Sequence, residues 1–330
     1  LPPGKVKIAR LESYKDASEA LQANDRQAIR DALYEAKPYQ PDGIVDGASL
    51  LELVTTPEPP CAYDYPFKGL QRKTNGIRYG ELTTLTAGSG IGKSSFCRQL
   101  ATHLLEQGEK VGYLALEESN RRTALGLMST AVGEPLHLGG YDHTKLKEYF
   151  SNTIADWNLY LYDGFGSFDP DVIYNRIEYL ASGLECRFVV LDHLSILLSG
   201  LEGDERRMID QTMTKLRSLV ERTGIHLFLV SHLRRTQQDK NHEEGARVTL
   251  GQLRGSAAIS QLSDTVLALE RNQQNDKDGG VTTLRVLKNR YSGETGIATT
   301  LNYDLSNCRF SENETTEPSF LRGTSETSDF

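Results

Sequence analysis

A strand that runs into a glycine-rich turn ending in Lys-Ser, and from there straight into a helix, leaves a chain few folds to choose from. The turn here is Ala87-Gly-Ser-Gly-Ile-Gly-Lys-Ser94. Before it, Glu81-Leu-Thr-Thr-Leu-Thr86 alternates as a short buried strand does. After it, Ser95-Phe-Cys-Arg-Gln-Leu-Ala-Thr-His-Leu-Leu105 repeats its apolar residues at helical spacing. Gly88, Gly90 and Gly92 let the backbone curl until successive N–H groups converge on a phosphate at the helix's positive end. The candidate nucleotide-binding residues are therefore Gly88, Ser89, Gly90, Ile91, Gly92, Lys93, Ser94 and Ser95. Lys93 would reach the β- and γ-phosphates, and the Ser94 hydroxyl would hold Mg²⁺. Ala87 stands where the strict pattern has glycine, a mild departure to another small residue. A turn that merely capped a helix would not need Lys-Ser in this context, so a nucleoside triphosphate is the expected ligand.

Composition sets the outer bounds. A chain of 330 residues can bury one large core with an appendage. Its strongest apolar runs, such as Phe188-Val-Val-Leu191, have the length of a strand and fall short of a membrane span. The net charge of −8 argues against a uniformly basic nucleic-acid coat but leaves room for a local basic loop. Cys61, Cys97, Cys186 and Cys308 stand far apart in no metal-binding pattern and read as buried thiols of a reducing compartment. His232 and His242 share one loop without ligands close in sequence, so no metal centre is expected there. The chain opens Leu-Pro-Pro with neither methionine nor leader, which reads as part of something longer.

Residues 1–23 hold the alternating Lys5-Val-Lys-Ile-Ala-Arg10 and a short helical stretch, too little for a core, and read as the end of a preceding domain. Residues 24–64 read as a linker. In it, helical periodicity from Asp25 to about Lys37 stops at Pro38, and a proline-rich stretch is broken by Ala48-Ser-Leu-Leu-Glu-Leu-Val54. The main domain, 65–310, supplies further strand candidates at Lys110–Glu117, Asn158–Asp163, Arg187–Asp192 and Ile225–Ser231. Helical patterns at about 119–131, 143–156, 169–182 and 205–222 lie between them. Such alternation predicts an α/β fold, a mostly parallel sheet with helices on both faces. Closer-spaced strands at about 264–270, 281–287 and 297–303 predict an antiparallel extension. From Ser311 onward Glu312, Glu314, Glu317, Glu326 and Asp329 face a single Arg322, so 311–330 is expected to be a disordered acidic tail.

Polar residues collect at the predicted strand ends. Asp192 closes an apolar strand, where a carboxylate can hold the Mg²⁺ hydration shell. Leu116-Glu-Glu-Ser119 offers a general base for the attacking water, Glu117 first and Glu118 as fallback. His232 ends the strand Ile225–Ser231, where a neutral imidazole could sense a γ-phosphate. After it, Leu233-Arg-Arg-Thr-Gln-Gln-Asp-Lys240 is basic, polar and long, suited to gripping a nucleic-acid backbone. Lys288 and Arg290 lie beyond a late strand, where a cation could act as an arginine finger on a neighbour's phosphate or form a plain surface ion pair.

Together these motifs resemble the hexameric replicative helicases of the RecA/DnaB superfamily, most specifically the helicase half of the primase-helicases of podovirus-type phages and of mitochondrial Twinkle. The likeness covers roughly 65–310 and rests on Ala-Gly-Ser-Gly-Ile-Gly-Lys-Ser, Leu-Glu-Glu-Ser, Leu-Asp-His-Leu-Ser, Ser-His-Leu-Arg, Leu-Arg-Gly-Ser, Gln-Leu-Ser-Asp-Thr, Leu-Glu-Arg-Asn-Gln-Gln and Lys-Asn-Arg-Tyr-Ser-Gly. Upstream, Tyr14-Lys-Asp-Ala resembles the last piece of a TOPRIM-type primase domain. The resemblance implies a RecA-like sheet, with Glu117 as base, Asp192 at Mg²⁺ and His232 as phosphate sensor. It implies Arg290 as the finger supplied in trans, with Lys288 close by, and Arg271 and Tyr303 sandwiching the nucleotide base. It places Arg234, Arg235 and Lys240 in a central-channel DNA loop, and Arg254, Gly255 and Ser256 in another DNA-facing element. Where the phage relatives often carry a basic residue before the equivalent of Gln261, this chain has Ser260.

The function so implied is a ring-shaped replicative DNA helicase, fuelled by ATP or dTTP with Mg²⁺, translocating on single-stranded DNA and unwinding a forked duplex. Its implied partners are further copies of itself in a hexamer or heptamer, a primase domain, and a replicative DNA polymerase met by the acidic tail ending in Phe330. Residues 25–37 would dock on the next subunit. Its implied setting is the cytoplasm of an infected bacterium, with a mitochondrial matrix as the alternative. A recombinase-like, DNA-dependent ATPase that forms filaments without unwinding is the competing reading, and a regulatory ATPase without nucleic acid a third.

Overall fold

The computed structural model describes residues 5–39, 44–57, 61–164, 169–195, 205–234, 241–253, 257–273 and 280–313. Contacts divide the chain into two units, Leu1–Pro59 and Pro60–Phe330. In the first, β1 (Lys7–Ile8) pairs antiparallel with β2 (Lys37–Pro38). Between them lie α1 (Ala17–Gln22) and α2 (Arg26–Tyr34), and α3 (Leu51–Thr55) follows. Each of the first two helices begins at an aspartate. Asp16 accepts from the Glu19 N–H at 2.9 Å and Asp25 from the Ala28 N–H at 3.0 Å, satisfying donors a helix start otherwise leaves orphaned. The helix expected to reach Lys37 therefore ends at Tyr34. Pro38 sits in a two-stranded edge pair, where its missing N–H is tolerated. The Tyr14 hydroxyl donates to Asp25 at 3.1 Å, joining the segments on either side of residue 23.

The second unit runs α4 (Lys68–Thr74), β3 (Leu82–Ala87), α5 (Lys93–Leu105), β4 (Val111–Ala115), α6 (Asn120–Val132), α7 (His143–Asn152), β5 (Leu159–Leu161) and α8 (Pro170–Ser182). It continues with β6 (Phe188–Asp192), α9 (Glu205–Thr223), β7 (His226–His232), α10 (Ala257–Leu262), β8 (Thr265–Glu270), β9 (Val281–Asn289), β10 (Gly296–Asp304) and β11 (Arg309–Glu312). The strands form one nine-stranded sheet in the order β11-β10-β9-β8-β3-β7-β6-β4-β5. Every pair from β5 to β8 is parallel, and β9, β10 and β11 extend the sheet antiparallel. Parallel strands covered on both faces read as continuous apolar runs. Accordingly β3, β4, β6 and β8 are buried throughout, whereas β9 buries every second residue over most of its length.

The central β3 carries three threonines into this core, and each hydroxyl has a partner. Thr84 meets Ser263 at 2.7 Å, Thr86 donates to the Ser231 carbonyl at 2.9 Å, and Thr83 meets His226 Nε2 at 3.0 Å. On one face Phe67, Phe96, Leu100 and Leu104 of the α4–α5 region pack with Leu85, Val190, Val230 and Leu267. On the other, α8, α9 and α10 bring Ile173, Ile177, Met213, Leu216 and Ile259 against Val189, Leu191, Leu229 and Val266. The α/β architecture expected from the alternation is the one observed.

Several boundaries shift. α5 starts at Lys93, so Lys93 and Ser94 belong to its first turn. α7 stops at Asn152 because Thr153 leaves helical geometry, with φ −132° and ψ −92°. His232 is the last residue of β7 and not part of a loop, and Lys288 lies within β9, leaving Arg290 just beyond it. Ser311 and Glu312, expected in the tail, belong to β11. Phe67 offers α4 no side-chain cap, and the Glu312 carboxylate supplies one, accepting the Lys68 and Gly69 N–H groups at 2.6 and 2.8 Å. The four cysteines are free thiols, three buried and Cys61 only partly so. Among the described residues no helix is long and apolar enough to cross a membrane.

Candidate active site

Strand register gathers the polar residues. Ala87 stands opposite His232 on one side and Leu269 on the other, and Ala115 opposite Asp192. The carboxyl ends of β3, β4, β6, β7 and β8 thus share one edge, where open parallel sheets present ligand sites. The loop Gly88–Gly92 leaves β3 at this edge and enters α5 with Gly90 and Gly92 at φ +70° and +112°, a region open to glycine. At Gly88 a Cβ would lie 2.9 Å from the His242 Cβ and from the Ile91 side chain, so close packing of the loop also demands glycine.

The Lys93 ammonium is folded back across the loop, donating to the carbonyls of Ala87 and Gly88 at 3.1 and 3.0 Å. Burial lowers its pKa, opposed by the Asp192 and Glu117 carboxylates. The Ser94 hydroxyl donates to Asp192 Oδ2 at 2.7 Å. Asp192 is 8% exposed; burial raises its pKa and the Ser94 bond works against that. A hydroxyl beside a carboxylate is an all-oxygen donor pair suited to a hard cation such as Mg²⁺, which keeps most of its waters.

The two acids after β4 part company. Glu118 is held by Arg98 Nη2 at 2.6 Å and by the Thr123 hydroxyl at 2.9 Å. Glu117 faces the cleft with its side chain 56% exposed, 2.5 Å from His193 Nε2. The His193 ring meets the His232 ring edge to face, centroids 4.0 Å apart. Glu117, His193 and His232 thus form the compact cluster that the sequence reading of His232 did not foresee.

Residues after β8 and β7 grip the loop from outside. Arg271 Nη2 donates to the Gly90 carbonyl at 3.2 Å, and Gln273 Nε2 to the Ser89 carbonyl at 2.8 Å. The Ser89 N–H donates to Glu243 Oε1 at 3.2 Å, where a carboxylate takes an amide that a phosphate oxygen would use. The half-buried Tyr303 meets the Phe310 ring at a tilt of 55°, centroids 4.8 Å apart, with Ser95 beside it. Burial lifts its pKa, with Ser95 opposing. Arg271 and Tyr303 therefore both border the loop.

Arg290 and Lys288 do not. They lie by the amino ends of β3 and β8, for Lys288 pairs with Val266 and the Arg290 N–H reaches the Asp264 carbonyl at 2.8 Å. The six-residue β3 separates the two edges by about 17 Å, well beyond an arginine's reach. Arg290 Nη1 is 2.8 Å from Asp264 Oδ1, with its side chain 51% exposed. The Lys288 ammonium donates to the carbonyls of Ser260, Gln261 and Ser263 at the end of α10, at 2.7, 3.0 and 2.7 Å. Burial, with Arg290 close, lowers its pKa.

Of the candidate DNA-binding residues, Arg234 is described and exposed. Arg235, Lys240, Arg254, Gly255 and Ser256 lie outside the described residues. The roots of the two basic segments are joined: Leu233 bridges Leu253, and the Arg234 N–H reaches the Gln252 carbonyl at 2.8 Å. One root adjoins His232 and the far end of the first segment carries Glu243, so both ends reach the carboxyl edge beside the glycine-rich loop. Sequence reading assigned no role to His193, Arg98, Gln273 or Glu243. His193 and Gln273 stand inside quoted motifs; nothing in the sequence marked the other two.

The family model of the DnaB-like helicase C terminal domain matches residues 64–312. The chain is 38% identical over 318 residues to a DNA helicase/primase of Enterobacteria phage T3, a match covering 92% of this chain and 56% of that protein. It is 22% identical over 327 residues to a Twinkle homolog protein of Arabidopsis thaliana, covering 92% of this chain and 45% of that one. The chain thus spans about half the length of these curated relatives. Among solved structures, a DnaB-like replicative helicase studied with its primase interactions matches with a TM-score of 0.65 at 18% identity, over 89% of this chain and 73% of that one. A solved ATPase domain matches with a TM-score of 0.67 at 20% identity, over 83% of this chain and all of that one.

Proposed function

Because the chain belongs to the family of DnaB-like helicase C-terminal domains, we propose that it is the motor of a ring-shaped replicative DNA helicase. It hydrolyses a nucleoside triphosphate, ATP or dTTP, to move along single-stranded DNA and part the duplex at a fork. The strongest support is the division of its charged groups between two edges. Lys93, Ser94, Asp192, Glu117 and His232 line the carboxyl edge, while Arg290 stands about 17 Å away at the other. A hydrolytic centre that needs Arg290 must take it from a second copy, and head-to-tail repetition of that contact gives a ring where its rotation closes.

In this reading Lys93 straightens from its carbonyl partners onto the β- and γ-phosphates, and its own burial makes that anionic replacement favourable. Ser94 and Asp192 would hold Mg²⁺, whose charge would screen the phosphates. Glu117 takes the proton of the attacking water, and His232 contacts the γ-phosphate. Arg271 and Tyr303 flank the base, and the neighbour's Arg290 meets charge developing on the transferred phosphoryl group. Arg234, Arg235 and Lys240, with Arg254, Gly255 and Ser256, contact the DNA backbone. Because their roots adjoin His232 and the Glu243 contact to Ser89, loss of the γ-phosphate is passed to the DNA.

Ring closure draws on the first unit, where α2 exposes Leu33 and Tyr34 at 64% and 89%. An apolar groove of about 570 Å³ lined by Leu125, Met128, Leu146 and Phe150 is a seat for such a helix from the adjoining copy. The helicase is coupled to a primase domain, and the acidic tail ending in Phe330 meets a replicative DNA polymerase in an infected bacterium. Strand displacement on a forked duplex tests the reading, with Lys93→Ala as control. Triphosphate-dependent unwinding that the variant loses is expected; DNA-stimulated hydrolysis without displacement would favour a filament-forming ATPase instead.

A further inference from the structure

His193 follows Asp192 directly, and its ring is turned into the cleft at 4% residue exposure. The Ser195 N–H donates to its Nδ1 at 3.1 Å. A nitrogen that accepts carries no proton, so in the neutral ring the proton sits on Nε2. Nε2 is 2.5 Å from Glu117 Oε1 and therefore donates to the carboxylate. Glu117 itself is a half-exposed, rotamer-rich side chain, and a fixed buried donor removes much of that freedom. On its flank the same imidazole meets the His232 ring at 4.0 Å and 87°.

Ligand atoms of Glu117, His193 and His232 lie within 4.8 Å of one another, a spacing also seen around metals. A metal-bound imidazole, however, donates from its other nitrogen, and here that nitrogen accepts from Ser195. The cluster is organised as a hydrogen bond from imidazole to carboxylate, with a second imidazole packed edge to face against the first.

We propose that His193 is a positioning residue: it aims the Glu117 carboxylate at the attacking water and, through its ring contact, makes that aim respond to His232. The inference deepens the hydrolytic reading and rests on Glu117 being the base. Placement errors of about an ångström at a reacting group can cost about 100-fold in rate, which sets the scale of the effect.

The test uses the full chain with single-stranded DNA, measuring triphosphate hydrolysis, affinity for a non-hydrolysable analogue, and thermal stability. His193→Phe keeps an aromatic ring against His232 but no donor; His193→Gln offers an amide N–H near the position of Nε2. We expect His193→Phe to lower kcat about 100-fold with KM and analogue affinity nearly unchanged, and His193→Gln to recover most of the loss. In a Glu117→Gln background, adding His193→Phe should cause no further loss, because the effect runs through the carboxylate. Unchanged kcat in His193→Phe, failure of His193→Gln to rescue, or an additive loss in the double variant would each overturn the proposal. Wild-type hydrolysis by Glu117→Gln alone would instead sink the assignment of the base, and this proposal with it.

Discussion

Glu117 and Glu118 are neighbours in the chain and end in different chemistry. Arg98 decides the matter: it projects from α5 to bind Glu118, which leaves Glu117 to the cleft. The sequence offered both carboxylates at the right strand end, but the ion pair joins residues twenty apart on different elements, and no local pattern announces it. The positions of the glycines, Lys93, Ser94 and Asp192 were legible because each stands where its own strand or turn puts it. His226 was not, since in sequence it looks like any polar residue at the start of an apolar strand. It is fully buried, its Nδ1 against the Arg78 carbonyl at 2.6 Å and its Nε2 against the Thr83 hydroxyl at 3.0 Å. Burial pulls its pKa from 6.5 down to about 4. Between those values the unfolded chain binds a proton that the folded one refuses. Stability from this group is complete above pH 6.5 and falls as pH drops toward 4, by about 3 kcal/mol. Proton NMR of the His226 ring should show no titration from about pH 8 to pH 5; a midpoint near 6.5 would contradict the burial argument.

At the scale of elements, the β3–α5 unit and the parallel strands were readable because burial on both faces writes an uninterrupted apolar run. Ser311 and Glu312 were misread as tail for the converse reason. Arg309-Phe-Ser-Glu312 is too short and too charged to look like a strand, and only pairing with β10 makes it one. Likewise α2 ends early because Lys37–Pro38 has a strand partner thirty residues upstream, which periodicity does not register. Glu312 consequently has a mechanical job, capping α4 from the opposite end of the domain. Replacing it with Ala should cost about 1–2 kcal/mol in urea unfolding, the scale of a lost cap with a charged acceptor. Ending the chain after Asn313 should spare that stability while weakening association with a replicative polymerase. Equal unfolding midpoints for Glu312→Ala and the unmodified chain would refute the capping role.

For the whole molecule, the sheet is the organising object, since in the proposed reading its two edges carry complementary halves of one reaction. On that reading neither half works alone: the carboxyl edge would supply base, lysine and cation ligands, and the amino edge the arginine. The sequence predicted the antiparallel extension but left Arg290 as finger or surface ion pair, because the contact with Asp264 that fixes it at the amino edge joins residues 26 apart in the chain. Asp264 and the Gln261 carbonyl hold the Arg290 guanidinium within this copy, with the side chain half exposed, and in the proposed reading it turns to a neighbour. Mixing two separately inactive variants, Lys93→Ala and Arg290→Ala, is the sharpest test. In an equal mixture about a quarter of the contacts pair an intact phosphate loop with an intact arginine, so DNA-stimulated hydrolysis should reappear at a comparable fraction of the unmodified rate. A mixture as silent as its components, or an Arg290→Ala chain that hydrolyses at full rate by itself, would show that the reaction is not shared between copies.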